Sequence, residues 1–477
     1  MKTNFRAVSS FGDRKCGINT YTSCLVGGLN DLTSEIGRIN VAAIDNSNER
    51  YDKTIADVVI NQYDRDSWLS AAYAISDRAI EESNGVGNPT LLYVNHEFGL
   101  GGKQWDSDDN YVPFLKELRK TEAYKRGLLN VVSCLHTIRS DLPQFCKDVT
   151  KGIVENSDGT IVLAETGKKI LGSDAYDIDV EKNSIKHITH GVRMYEYNEK
   201  DRRDIKQEWA GDEDIFLIST PGLISPGKGI FQYGVPAYAQ TVAELEKTHP
   251  NIKTRKIIRG QCHPDFEESQ DFNPFMKSSL EALSKSGLLL NKKNPFENKV
   301  PIEAMNRFKD KKHGIFFSYE FIPDKAYSES FGGVDLMEFV YLGKQQISSG
   351  QLSEAVGHGR DSVASKFWHA CEMLSKQAGF DSLEDLLNPH KMPQEGKVIG
   401  INDPDAKGLL VDCDRGQQTI DQISEATQYA ILNPEDHQFR SENAHEQGHD
   451  ATWKHVGWLT QHYGDHLRKK KARIRDN

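Results

Sequence analysis

Apolar runs divide the chain into short strand-like segments, separated by stretches long enough for helices. Such runs occupy residues 5–9, 90–94, 130–135 and 160–164. The first leads into a glycine turn, Phe11-Gly12-Asp13-Arg14-Lys15-Cys16-Gly17, then into Ile18, Asn19 and Thr20 and a helical pattern carrying Leu25, Val26 and Leu29. Asn19 and Thr20 are of the types that cap helices. Strand, glycine turn and helix make a nucleotide-type βα unit, and repeated alternation implies a parallel sheet whose ligands gather at the carboxyl ends of its strands. The residues that follow those strands therefore carry the chemistry: Asn95-His96-Glu97-Phe98-Gly99 after one, His136-Thr137 after the next. No G-x-G-x-x-G follows a strand, which argues against a simple dehydrogenase.

From about residue 201 a charged segment leads to a fresh strand at 214–220, and the pattern restarts. Pro221-Gly222-Leu223-Ile224-Ser225-Pro226-Gly227-Lys228-Gly229 follows, then strand-like runs at 256–260 and 314–318, the latter continuing into Phe321-Ile322-Pro323-Asp324. A second Rossmann-like half is the simplest account. Segments 265–301 and 376–405 have the composition of surface insertions. Trp453, Val456, Thr460, Tyr463 and Leu467 recur at helical spacing. Residues 468–475 then hold six cations in eight positions. That end reads as a solvated, fraying tail, with attraction to an anionic membrane or nucleic acid as the alternative. The expected division is 1–200, 201–440 and a C-terminal helix with tail at 441–477.

Composition narrows the class. A length of 477 residues suits two domains of roughly 200 residues each. With 37% hydrophobic and 27% charged residues the chain reads as soluble, and a net charge of -11 argues against a general nucleic-acid binder. The seven cysteines are scattered and never form a C-x-x-C pair, as suits free thiols in a reducing compartment. No run reaches the roughly 18 apolar residues of a membrane span. The expectation is a cytoplasmic protein, peripheral to a membrane if the basic tail docks there.

One stretch organises the second half: Gln345-Gln346-Ile347-Ser348-Ser349-Gly350-Gln351-Leu352-Ser353-Glu354-Ala355-Val356-Gly357. It begins as a polar turn and becomes a helix, whose first N–H groups lack intrahelical partners and can face an anion. Gln346 and Glu354 flank the turn at the spacing of the E-x7-E region of family-four retaining glycosyltransferases. Further segments match that family in order: Arg14-Lys15-Cys16-Gly17-Ile18, Asn95 to Gly99, Leu135-His136-Thr137, Thr189-His190-Gly191-Val192, Gly222 to Gly229, Phe321 to Asp324 and Ser348-Ser349-Gly350. Together they resemble bacterial-type members over nearly the whole chain.

The resemblance implies the α/β GT-B fold: two Rossmann-like domains facing across a cleft, with a C-terminal helix crossing back to the first. It implies a nucleotide-sugar donor held mainly by the second domain, a hydroxyl acceptor on the first, and no metal or other cofactor. Gly17 would let backbone approach the donor phosphate, Lys228 would hold the leaving diphosphate, and Ile322 would lie in the segment that meets the base. Gln346, Ser349, Gly350, Gln351 and Glu354 would complete the donor site. His136 would sit beside the donor sugar as a catalytic residue with Lys228, while His96 and Glu97 would lie on the acceptor side. Two positions depart from the pattern: Gln346 replaces the first carboxylate, and Leu223 stands where the family often has an arginine.

Three rival motifs compete with this reading. Glu329 with Glu338 could supply the acidic pair, though at a spacing one residue too long. His445-Glu446-Gln447-Gly448-His449 fits H-E-x-x-H, but its glycine weakens a helix and no third ligand follows. Asp106-Ser107-Asp108 resembles a D-x-D metal site and falls in a polar loop. The functional expectation is a retaining transferase moving a hexose or pentose; another GT-B enzyme such as a phosphorylase or epimerase, or a non-catalytic binder of nucleotide sugars, are the alternatives. The acceptor stays open among a glycan, a lipid-linked sugar, a small metabolite and a modified nucleic-acid base.

Overall fold

The computed structural model describes residues 2–14, 16–46, 50–83, 87–103, 109–196, 198–291, 296, 300–320, 327, 331–388 and 390–476. It divides into two compact units: Met1–Gly191 with Gln345–Gly350 and Ala451–Asn477, and Val192–Lys344 with Gln351–Asp450. The divisions fall at 191/192 and 450/451 rather than at 200/201 and 440/441. The helices Glu199–Ala210 and Pro434–Asp450 thus stay whole within the second unit.

The first unit is built on β1 (Thr3–Ser9), β2 (Ile36–Asp45), β3 (Ala56–Asn61), β4 (Thr90–His96), β5 (Leu129–Leu135), β6 (Gly159–Val162) and β7 (Ile185–His187). All pair in parallel, in the order β3-β2-β1-β4-β5-β6-β7. β1, β4 and β5 are buried at every position, as expected of strands covered by helices on both faces. The order reverses between β1 and β4, and an open α/β sheet presents its ligand crevice at such a reversal.

The helix Gly17–Asn30 packs on the C-terminal helix Trp453–Asp476. Leu25, Val26 and Leu29 share one apolar cluster with Trp453, Val456, Tyr463 and Leu467, the face that periodicity marked. Gly28 permits the close approach, since a Cβ there would lie 2.4 Å from the Trp453 carbonyl. The basic segment continues the helix, which runs on to Asp476. Lys471 bonds Asp158 at 2.9 Å and covers the Tyr124 ring at 3.6 Å, and Lys470 reaches Ser184 at 3.0 Å. Lysine and arginine are good helix formers, and these contacts hold their stems against the unit.

The second unit contains β8 (Phe216–Pro221), β9 (Thr254–Arg259), β10 (His313–Ser318), β11 (Leu336–Phe339), β12 (Asp361–Ser365) and β13 (Leu409–Val411). Their parallel order, β10-β9-β8-β11-β12-β13, repeats the pattern of the first six strands of the other sheet. Both sheets are therefore doubly wound, and here the reversal lies between β8 and β11. The two segments read as insertions take part in this unit's packing. Leu283 of the helix Phe272–Ser286 is fully buried, Ile399 pairs with Leu410, and Leu386 and Met392 are buried. Among the described residues no helix is long and apolar enough to cross a membrane.

Candidate functional site

Each sheet offers a candidate site at its own reversal. In the first unit, the turn after β1 leads into Gly17, the first residue of its helix. The N-cap is Cys16, not Asn19 or Thr20: its Sγ accepts the Asn19 N–H at 3.4 Å, while the Asn19 side chain bonds the Gly12 and Arg14 carbonyls at 2.9 and 2.6 Å. Gly17 is exposed, and a Cβ there would meet nothing within 4 Å. Its value lies in leaving the helix start bare, not in any required backbone angle.

Opposite that turn, β4 and β5 end in the predicted residues. His136 is buried, with Nε2 2.9 Å from Asn95 Oδ1 and its ring edge-on to Tyr21 at 4.7 Å. Burial pushes its pKa down to about 3, with His190 and His96 adding to the effect. Glu97 accepts the Thr137 hydroxyl at 2.8 Å and the Phe98 N–H at 3.0 Å, and burial raises its carboxyl to about 7 against those bonds. His96 is the last residue of β4 and fully buried between Phe98 and Tyr111, so it does not stand on a loop at the surface. Burial takes its pKa down to about 3.

A residue outside the expected set joins them. His190 packs edge-on to Tyr21 at 5.2 Å and donates from Nδ1 to the Gly191 carbonyl at 2.7 Å, and burial lowers its pKa to about 4. His96, His136 and His190 are all neutral near pH 7. The segment Gln345–Gly350 groups with this unit: Gln345 Oε1 accepts the Ser140 N–H at 2.9 Å and its Nε2 donates to Ser140 Oγ at 3.0 Å. Gln346 turns its amide onto the Ser348 carbonyl at 2.8 Å, Ser349 is buried, and Gly350 lies beside His190.

In the second unit, Lys228 ends the turn that follows β8. Backbone bonds from Gly229 to Val340 (2.7 Å) and from Leu342 to Gly227 (2.9 Å) pin that turn to the continuation of β11. Lys228 Nζ thereby reaches Gln351 Oε1 at 2.8 Å and lies 5.5 Å from the centre of the Tyr341 ring, whose hydroxyl also donates to Gln351 Oε1 at 3.2 Å. Gly222 makes room for this amide: it has φ +93°, and a Cβ there would overlap Gln351 Nε2 at 1.3 Å. Among the described residues no carboxylate pairs with Lys228, and desolvation pushes its ammonium down to about 7. The helix Gly350–Gly357 starts where the sequence placed it, so Gln351 and Lys228 meet at a helix N-terminus.

Glu354 is buried and held by Arg193, whose Nε lies 3.0 and 3.1 Å from its two oxygens. That arginine directly follows the Thr189 to Val192 segment, yet nothing in the sequence marked it as a partner. Among the rivals, Glu338 points into the sheet interior and pairs with Lys256, both side chains almost wholly buried. Glu329, Ile322 and the Asp106-Ser107-Asp108 run lie outside the described residues. His445 and His449 are on the helix Pro434–Asp450 with ring centres 5.0 Å apart, and Gly448 between them packs against Met194 and Gly357. Among the described residues no group of three His, Cys, Asp or Glu side chains gathers as a metal site would require.

No protein-family model matches the chain, and no curated protein matches it at a significant level. Solved structures do. The chain is similar to Anabaena HepE in complex with UDP and glucose, at 13% identity and a TM-score of 0.59, over 98% of this chain and 100% of that one. The fold is GT-B. A glycosyltransferase from Rickettsia africae aligns at 12% identity and a TM-score of 0.59, covering 98% of both chains. The UDP-forming α,α-trehalose-phosphate synthase of Burkholderia xenovorans with glucose-6-phosphate aligns at 11% identity and 0.57, over 97% of this chain and 100% of that one.

Proposed function

We propose that the protein is a retaining glycosyltransferase of family-four type, moving a hexosyl or pentosyl group from a nucleoside diphosphate to a hydroxyl acceptor. The observation that carries the proposal is Lys228: an ammonium that pairs with no carboxylate among the described residues, beside a helix N-terminus at the reversal of its sheet. A desolvated ammonium is costly, and an incoming anion offsets that cost. Cleavage of a sugar–phosphate bond places negative charge on the departing diphosphate, and donors fixed in advance lower that barrier. Leu223 leaves Lys228 to do this with backbone N–H groups and Tyr341, and the proposal invokes no metal. Support also comes from the likeness to HepE, whose structure holds UDP and glucose.

Glu354, held in place by Arg193, would meet the ribose. Gln346 would hold a sugar hydroxyl after leaving Ser348. On the first unit, Gly17, His136 and Glu97 would face sugar and acceptor, with front-face transfer in which the leaving phosphate assists deprotonation of the acceptor. The acceptor could be a glycan, a lipid-linked sugar, a small metabolite or a modified nucleic-acid base. None of the seven cysteines is in a disulfide, in keeping with a reducing cytoplasm, and exposed Lys469 and Lys470 could touch an anionic membrane.

The test is a plate of nucleotide sugars scored by thermal shift and by release of nucleoside diphosphate. A donor at a hundred times its dissociation constant adds about 2.7 kcal/mol of stability. Absence of both stabilisation and diphosphate release across the plate would refute the reading.

A further inference from the structure

The contacts around His136 contain enough information to place every proton in them. Asn95 is fully buried at the end of β4. Its Oδ1 lies 2.9 Å from His136 Nε2, and its Nδ2 lies 3.2 Å from Ser9 Oγ and 3.1 Å from Thr22 Oγ1. Ser9 Oγ and Thr22 Oγ1 are 2.6 Å apart, and Thr22 Oγ1 lies 2.8 Å from the Ile18 carbonyl. That is a closed set of five short contacts, and each requires one proton.

The carbonyl of Ile18 has none, so the Thr22 hydroxyl must supply that contact. The Ser9 hydroxyl must then supply the contact to Thr22, because Thr22 has already used its only hydrogen. Both hydroxyl oxygens are left as acceptors, and the two hydrogens of the Asn95 amide satisfy them. The amide can therefore point only one way, with Oδ1 toward His136, and the fifth proton must sit on His136 Nε2. If the amide is turned over, its oxygen faces both hydroxyls, and the one hydrogen left, that of Ser9, can serve only one of the three oxygen–oxygen contacts. Two pairs of oxygens at hydrogen-bond distance are then left with no hydrogen between them and repel each other, so that arrangement is rejected. Asn and His assignments rest on such networks in any case, and here one solution survives.

We infer that Asn95, locked by Ser9 and Thr22, is a positioning residue that holds His136 as the Nε2–H tautomer, so that Nδ1 presents a lone pair to a ligand hydroxyl. The ring is neutral at physiological pH, so its tautomer decides whether Nδ1 donates or accepts. With Nδ1 as acceptor, His136 recognises a hydroxyl group and offers nothing to an oxygen that lacks a hydrogen. The hydroxyl would belong to the transferred sugar, a role that rests on the reading under Proposed function. The tautomer itself does not.

The experiment is nitrogen NMR of the full-length protein with ¹⁵N-labelled histidine. His136 is assigned by difference from His136→Gln, since the chain has 16 histidines. The expected result is a protonated, pyrrole-type Nε2 and a pyridine-type Nδ1 in the wild type. Asn95→Leu removes the acceptor for Nε2–H and gives a mixture of tautomers. A proton on Nδ1 in the wild type overturns the inference, and that spectrum needs no variant of Asn95 to fold.

The ligand role is read with UDP-glucose and UDP as probes. Asn95→Leu is expected to weaken UDP-glucose about tenfold relative to UDP, whose own affinity stays as in the wild type. An unchanged ratio overturns the part given to Nδ1. Should neither probe bind the wild type, the sugar-transfer reading suffers, while the tautomer still stands or falls on the nitrogen shifts.

Discussion

The two sheets share a strand order but present opposite chemistry at their reversals. Where β1 and β4 part, the groups are hydrogen-bonders: Asn95, Ser9, Thr137, neutral His136 and a carboxyl raised to about 7. Where β8 and β11 part, an ammonium that meets no carboxylate among the described residues stands beside a helix start. The shared topology sets where each reversal lies, and a handful of side chains sets the chemistry found there.

The contrast can be broken at its most buried point. Lys256 and Glu338 form an ion pair in the interior of the second sheet, so the rival acidic residue belongs to the core and not to the edge where Lys228 stands. Glu338→Ala leaves Lys256 buried without a partner and is expected to cost about 3–5 kcal/mol in urea unfolding. A loss under about 1 kcal/mol would return Glu338 to the list of site residues.

Lys228→Ala should behave in the opposite way, slowing sugar transfer by roughly ten- to a hundredfold if one charge-assisted bond is lost, with the fold intact. The pH dependence follows from desolvation. In the free protein the ammonium has its pKa near 7, and a bound diphosphate raises it. UDP affinity should therefore fall as pH rises above 7, because binding must then take up a proton. Lys228→Arg should flatten that slope, since a guanidinium stays charged. Calorimetric titration from pH 6.5 to about 9 would show it.

Glu97 sharpens the comparison from the other side and has the smallest expected effect. Its pKa is raised from 4.5 to about 7 by burial, so the fold favours the protonated carboxyl. Its contribution is complete below pH 4.5 and is lost as pH rises through about 7. Glu97→Gln should remove that part of the slope, so that the variant gains melting temperature relative to the wild type as pH increases across this window. Parallel melting curves at every pH would mean that water reaches the carboxyl freely.

Strands with continuous apolar runs were legible: 90–94, 130–135 and 314–318 all lie within β4, β5 and β10. β11 and β12 were not, because Glu338 and Asp361 interrupt them with charges that only distant partners, Lys256 and Arg440, make tolerable. The helix Trp453–Asp476 announced itself through its stripe, but its basic end read as a tail because Asp158 and Tyr124 are remote in sequence. The helix start at Gly350 was legible from its polar turn and Lys228 came through family resemblance; Lys228 reaches Gln351, the second residue of that helix. Asn95 was quoted without a role, since an asparagine at a strand end looks like part of a turn. Arg193 was passed over because a lone arginine in a connecting segment carries no local signal.

The order of strands and helices, the turns that must be glycine-rich and the face each amphipathic helix buries were all written in the chain, because they follow from side-chain periodicity within a few residues. Which strands adjoin, which carboxylate each buried cation takes, and which nitrogen of His136 carries its proton were decided by the folded state. Those outcomes depend on hydrogen bonds and charges between residues far apart in sequence, and a linear pattern holds no measure of that distance.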